Sequence, residues 1–211
     1  MKMNDILIFL PGIITAYSIL IGACLSPGPA VMMLMGLATE QGRTKALTAC
    51  AGIALGSVCI NLLTLLGVGL LLSEVAWAML ILRLVGTGYL LYLAYGAFKK
   101  SFNPPPVTAS KTQSHSLARC FSTGLLLQVT NPKAIAFWLA ITSVGAVHNA
   151  GITITTVYVF GACIISFVCH GAWALMLSAE TIRRLYSQFR RWVEACLGGF
   201  FVFVAAKMAS S

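Results

Sequence analysis

Charge is what this sequence lacks. Of 211 residues, 5 are Asp or Glu and 14 are Lys or Arg, so 9% of the chain is charged, against roughly a quarter in soluble proteins. No charged side chain occurs between Ile6 and Thr39, and from residue 120 to 179 Lys133 is the one ionised side chain. With 59% hydrophobic residues and a mean hydropathy of +0.91, that scarcity excludes an ordinary soluble domain. Acids this few also argue against a clustered oxygen site for hard cations. The seven cysteines (Cys24, Cys50, Cys59, Cys120, Cys163, Cys169 and Cys196) contain no C-x-x-C pair, so they read as small apolar side chains. Hydrolase motifs such as H-E-x-x-H and G-x-S-x-G are missing as well. The expectation is a protein that is not an enzyme and needs no cofactor or bound metal. The net charge of +9 comes from short basic clusters without aromatic interleaving, which argues against nucleic acid as a partner and for a lipid bilayer.

What is present is apolar runs long enough to cross a hydrocarbon core, which takes about 20 residues as a helix. Six spans can be drawn, at 6–38, 47–72, 77–98, 119–145, 150–177 and 193–209. Lys2 followed by an apolar stretch, with Ile21-Gly22-Ala23-Cys24 after it, imitates a cleaved leader. The run continues past Cys24 to Thr39, however, longer than a leader's apolar region. Basic residues sort by connection. Arg43 and Lys45 lie in the first, Lys99, Lys100, Lys111 and Arg119 in the third, and Arg183, Arg184, Arg190 and Arg191 in the fifth. The second and fourth hold Glu74 and His148. Odd connections are therefore expected on the cytoplasmic side, with both termini outside. The third connection, NPPPVTASKTQSHS, reads as a linker.

Three spans on each side of that linker imply that the second half is inverted. The expected organisation is a first repeat at 1–98, a cytoplasmic linker at 99–118 and a second repeat at 119–211. Ser26-Pro27-Gly28-Pro29-Ala30 in span one is echoed by Thr130-Asn131-Pro132-Lys133-Ala134 in span four. LRLVGTGYLLYLAY from Leu82 is echoed by EACLGGFFVFVAAK from Glu194. Proline is the worst helix former, so spans one and four are expected to be interrupted. Interrupted helices at matching places in inverted halves point to a transporter substrate site, because freed backbone survives in a membrane only inside protein or beside a wet cavity. The half-helix starts offer N–H donors and partial positive charge to a carboxylate. Ser26 and Asn131 are expected as N-caps, with Pro27 and Pro132 as first helical residues.

The motifs LSPGPA (25–30), EQGRTKAL (40–47), AGIALG (51–56), GTGYLLYLAYGAFK (86–99) and GLLLQVTNPKAIAFWLA (124–140) resemble the lysine exporter and homoserine/threonine exporter family. That resemblance covers essentially the whole chain. It implies an all-α polytopic membrane protein in a bacterial inner membrane, exporting amino acids or close derivatives by alternating access with proton coupling. Two departures stand out. The family's turn after the NPK helix is replaced by Thr142-Ser143-Val144-Gly145, and an acidic position in span five is held by His170. Histidine, with an ordinary pKa of about 6.5, is either a proton carrier there or a neutral hydrogen-bonding group.

Lys133 is the sharpest candidate, since a charge inside a span must face a cavity or a partner. It would bind a substrate carboxylate, or else bond carbonyls freed by the opposite break. Ser26, Pro27, Gly28, Pro29, Gln128, Asn131 and Pro132 join it by proximity to the breaks. Asn61 and His170 join it as polar groups within spans. Arg83 stands either at the outer interface or inside its span, and Glu40 at the cytoplasmic surface, with a gating role as the alternative. Gly52 and Gly56 give close helix packing, within the bundle or in a homodimer. The expected substrate is a small zwitterion. Two other readings are metal-ion export through Cys and His, and a thiol–disulfide conduit through Cys24 and Cys120, which do not lie symmetrically about the breaks.

Overall fold

The computed structural model describes residues 3–74, 78–104, 115–143, 147 and 150–209. Everything regular in it is α-helical. The helices are α1 (Met3–Leu25), α2 (Pro29–Glu40), α3 (Arg43–Glu74), α4 (Ala78–Phe102), α5 (Leu117–Thr130), α6 (Pro132–Ser143), α7 (Ile152–Ser178) and α8 (Glu180–Ala209). Leu7–Leu25, Arg43–Gly67 and Ile152–Ser178 are long and apolar enough to cross a membrane, and α5 with α6, bent by 60° at their junction, is so only as a pair. The outer surface supports this, because Leu62, Leu63, Leu66, Val157, Phe160 and Val168 are all exposed on faces that water would not tolerate in such numbers. This is a polytopic membrane protein.

Both expected interruptions are present, at 26–28 and at Asn131. The short helix α2 lies inside the bundle, with every residue from Ala30 to Ala38 buried except Met32. It packs against α3 and α7, so the irregular backbone before it is enclosed by protein as the membrane demands. Around it, α3 runs along α5, α4 along α8, and α1 along α7. The last pairing is fixed by Tyr17, whose hydroxyl donates to the Tyr158 carbonyl at 2.9 Å while the two rings stack at 5.6 Å.

Gly52 and Gly56 serve packing within the bundle. A Cβ on Gly52 would run into the Phe121 carbonyl oxygen, and one on Gly56 would come within 2.8 Å of Gln128 Cβ. Gly124 on α5 reciprocates, facing the Ala49 carbonyl.

One end of the bundle is gathered by polar bonds. Gly42, at φ +91°, turns the chain from α2 into α3, a backbone state natural to glycine. Gln41 Oε1 beside it accepts from the His115 N–H at 2.9 Å, and Arg43 Nε donates to Ser178 Oγ at 3.0 Å. The first connection thus meets the start of α5 and the end of α7.

The stretch 180–192 is not a loop, as the sequence suggested, but the first half of α8, set off from α7 by Ala179 alone. It has no Gly or Pro, and Glu180 pairs with Arg184 one turn on, so nothing stops a helix there. The linker residues 105–114, with Lys111, and likewise Lys2 and His148, lie outside the described residues.

Candidate functional site

The first break follows from its two prolines. The Ser26 N–H still closes the last turn of α1 onto the Gly22 carbonyl at 3.1 Å. Gly28 is extended (φ −148°, ψ −167°), Pro29 is the first residue of α2, and the Met32 N–H bonds the Gly28 carbonyl at 3.1 Å. The expected cap at Ser26, with Pro27 leading the helix, is therefore displaced by two residues. A residue before proline is pushed away from α-geometry, so Gly28 cannot be helical with Pro29 behind it. Ahead of the first helical bond, the N–H groups of Ala30 and Val31 have no partner within α2.

The second break is a single residue. Asn131 (φ −76°, ψ 112°) ends α5, and it too precedes a proline. Its side-chain Oδ1 accepts from the Lys133 N–H at 3.0 Å, and its carbonyl accepts from the Ile135 N–H at 3.0 Å. Here the expected N-cap, with Pro132 first in the helix, is what the chain adopts.

The breaks meet through Lys133. Its Nζ donates to the Ser26 carbonyl at 2.7 Å, so the ammonium from the second break satisfies an acceptor left by the first. A second freed acceptor, the Cys24 carbonyl, takes the Trp173 indole N–H at 3.0 Å. Lys133 Nζ also stands 6.0 Å from the centre of the Phe137 ring, a distance at which a cation is drawn to the π face.

Between the breaks lies a cavity with about 50 Å³ open to the centres of water-sized spheres. Roughly 10–15 Å³ by that measure holds one water, so this conformation admits a few waters. Its wall includes Ser26, Gly28, Lys133, Asn131, Gln128 and His170, with Phe137 and Trp138 as its apolar side. A buried network backs the polar side. Gln128 Nε2 donates to Ser57 Oγ at 2.8 Å, and the Ser57 and Ser166 hydroxyls share a 3.0 Å bond. His170 Nδ1 lies 2.8 Å from the Ser166 carbonyl. A carbonyl only accepts, so Nδ1 carries a proton.

Six expected site residues thus share one cavity. Pro27 is buried at the first break, whereas Pro29 and Pro132 are exposed; none of the three lines the cavity, and their part is to shape the backbone. Asn61 sits one turn beyond Ser57 on α3, fully buried, and neither amide atom has a hydrogen-bond partner. Glu40 is exposed at the end of α2, away from the cavity. Arg83 belongs to α4, and its side chain lies outside those described. Sequence reasoning missed Ser57, Ser166 and Trp173. The signal was spacing: Ser57 precedes Asn61, and Ser166 precedes His170, by one helical turn.

Cys24 does not pair with Cys120 across the site. Cys24 borders the cavity with its thiol hydrogen-bonded to Cys169, while Cys120 lies in the separate apolar cluster around Cys50 and Ala49. All seven cysteines are reduced, and Cys196 is exposed where a buried apolar role was expected. Among the described residues no group of three or more His, Cys, Asp or Glu side chains could hold a metal ion.

The model of the LysE-type translocators matches residues 21–211. The chain belongs to that family. It is 28% identical to the threonine efflux protein of Escherichia coli K12 over 196 residues, covering 89% of this chain and 92% of that one. It is 25% identical to the threonine efflux protein of Salmonella typhimurium over 185 residues, or 85% and 88% of the two chains. An uncharacterized membrane protein of Pseudomonas aeruginosa is 30% identical over 119 residues, 55% of each chain. No solved structure matches the chain.

Proposed function

We propose that this protein is a secondary exporter of small zwitterionic amino acids or their close derivatives, working by alternating access across a bacterial inner membrane and driven by protons. One observation carries the reading: Lys133 of one broken helix reaches the carbonyl end of the other at a polar cavity. A substrate carboxylate finds Lys133 and the Ala30 and Val31 N–H groups at the start of α2. Its ammonium finds the carbonyls ending α1 and the Asn131 side chain. A hydroxyl on the substrate has Gln128, Ser57 and His170 at hand, which suits the threonine named for the relatives.

The inverted-repeat organisation, with six spans and helices one and four interrupted, is part of the proposal. Packing supports it. Exchanging α1, α2, α3 and α4 for α5, α6, α7 and α8 turns α3 against α5 into α7 against α1. The same exchange turns α2 against α7 into α6 against α3, and it maps α3·α7 and α4·α8 onto themselves. The end that gathers Arg43, His115 and Ser178 is then the cytoplasmic one, with both termini outside.

The test is efflux from dipeptide-loaded cells with and without the protein, across a panel of amino acids. Faster efflux of threonine, homoserine or a similar zwitterion is expected; unchanged efflux of every amino acid would refute the function.

Asn61 extends the polar wall along α3 to Thr64, whose hydroxyl lies 3.0 Å from Thr142 Oγ1 on α6. We read this seam as the way out of the cavity. An unpartnered buried amide costs about 1–3 kcal/mol. Asn61→Leu should therefore raise thermal stability in detergent while slowing efflux. Stability lowered, or efflux unchanged, would remove Asn61 from the path.

A further inference from the structure

Glu194 lies one turn past Arg190 on α8, fully buried, in a chain with five acids in all. Among the described residues it is the one buried carboxylate. Neither of its oxygens accepts a hydrogen bond, and its nearest cation, Arg190 Nε, stands 3.8 Å away. That is a poor arrangement for a structural ion pair, which in the interior needs close contact and satisfied oxygens to offset the loss of water. Lys100 from α4 and Lys133 from α6 act on it electrostatically, and so does Arg190 on its own helix, with Tyr186 two turns back. On α1 and α7, Cys24 acts on Lys133 and Lys133 acts on His170, and neither Cys24 nor His170 acts on Glu194. Glu194 is thus coupled electrostatically both to Lys133, which lines the cavity, and to Lys100 in the last turn of α4.

We propose that Glu194 is the proton-exchanging residue of the exporter. The proposal rests on the transport reading above and adds the residue that couples it. An ionised Glu194 is the one buried anion that offsets a substrate ammonium arriving in a region already holding Lys133, Arg190 and Lys100. A proton on its carboxylate removes that offset. Proton and zwitterion therefore exclude each other. The carrier leaves loaded with substrate and Glu194 ionised, then returns empty with Glu194 protonated. The proton, taken from the outside, is released to cytoplasmic water, so one proton enters for each substrate expelled.

The test uses purified full-length protein in liposomes with radiolabelled L-threonine. Two rates are compared, threonine–threonine counterflow without a pH gradient and net movement driven by one. Wild-type counterflow should slow as the pH on both sides is lowered, because protons and threonine compete. Glu194→Gln, fixed in the neutral form, should show slow counterflow that no longer depends on pH and should lose gradient-driven movement to the level of protein-free vesicles. Gradient-driven movement retained by Glu194→Gln would overturn the proposal, and so would counterflow by that variant with the wild-type pH dependence. Glu194→Asp, which still titrates, serves if the glutamine variant does not fold: it should keep gradient-driven movement with a displaced pH profile, and an unmoved profile would overturn the assignment. No counterflow by the wild-type protein would overturn the exporter reading itself.

Discussion

Lys133→Met is expected to cut efflux by at least about 100-fold, a loss of ~2.7 kcal/mol in the driving interaction, with the protein still inserted in the membrane. Two roles end with one substitution. The ammonium no longer bonds the Ser26 carbonyl, which leaves an enclosed acceptor unsatisfied at about 1–3 kcal/mol. The cavity also loses its one cationic wall, so a substrate carboxylate meets only backbone N–H groups. Methionine keeps most of the unbranched stem and loses only the ammonium, which isolates charge from shape. Lys133→Arg separates the roles further. A guanidinium still donates to Ser26, but its broad planar fork is not interchangeable with the compact ammonium. Partial efflux by Lys133→Arg together with none by Lys133→Met would separate the carbonyl bond from the substrate's needs. Normal efflux by a folded Lys133→Met would dismiss Lys133 from transport. Abundance in the membrane fraction, measured alongside, distinguishes a silent transporter from an absent one.

The two breaks were legible in the sequence because proline acts locally. A ring that fixes φ and removes a donor disturbs a helix whatever surrounds it, so SPGPA and TNPKA announced themselves. The second was read to the residue, because a lone proline after Asn131 leaves one place for the cap. The first was misread by two residues, since Pro27 and Pro29 compete and the restriction each puts on its predecessor decided for Gly28. The serine network was not legible. Spans apolar on every side carry little periodic contrast, so nothing marked which faces of α3 and α7 turn inward, and serine is unremarkable within a helix. Glu194 was passed over: it stood in the first turn of a span drawn from 193 and was read only as the start of a repeat. The continuous α8 carries Arg190 and Glu194 inward on one face while Phe189, Arg191 and Trp192 point out.

Gly52→Ala should lower the melting temperature of the detergent-solubilised protein by roughly 5–10 °C, as expected for about 3 kcal/mol of overpacking. The added methyl has nowhere to go. It would strike the Phe121 carbonyl oxygen and come within 2.9 Å of the Leu125 nitrogen. Both are helix backbone, which cannot turn aside as a side chain does. α3 and α5 must then separate along the seam where Gly124 meets Ala49. In a bilayer that loss is not recovered by burying apolar surface, because lipid is as apolar as the neighbouring helix and association rests on close packing. The consequence reaches the cavity, since α5 carries Gln128, bonded to Ser57 at 2.8 Å, and leads directly into Asn131 and Lys133. Efflux should therefore fall along with stability. Gly96→Ala is the control: no atom lies within 4 Å of its missing Cβ, and alanine is the better helix former by about 1 kcal/mol, so stability should hold or rise. Equal behaviour of the two variants would mean that α3 and α5 do not depend on glycine for their approach, and that the site's geometry is held by its hydrogen bonds alone.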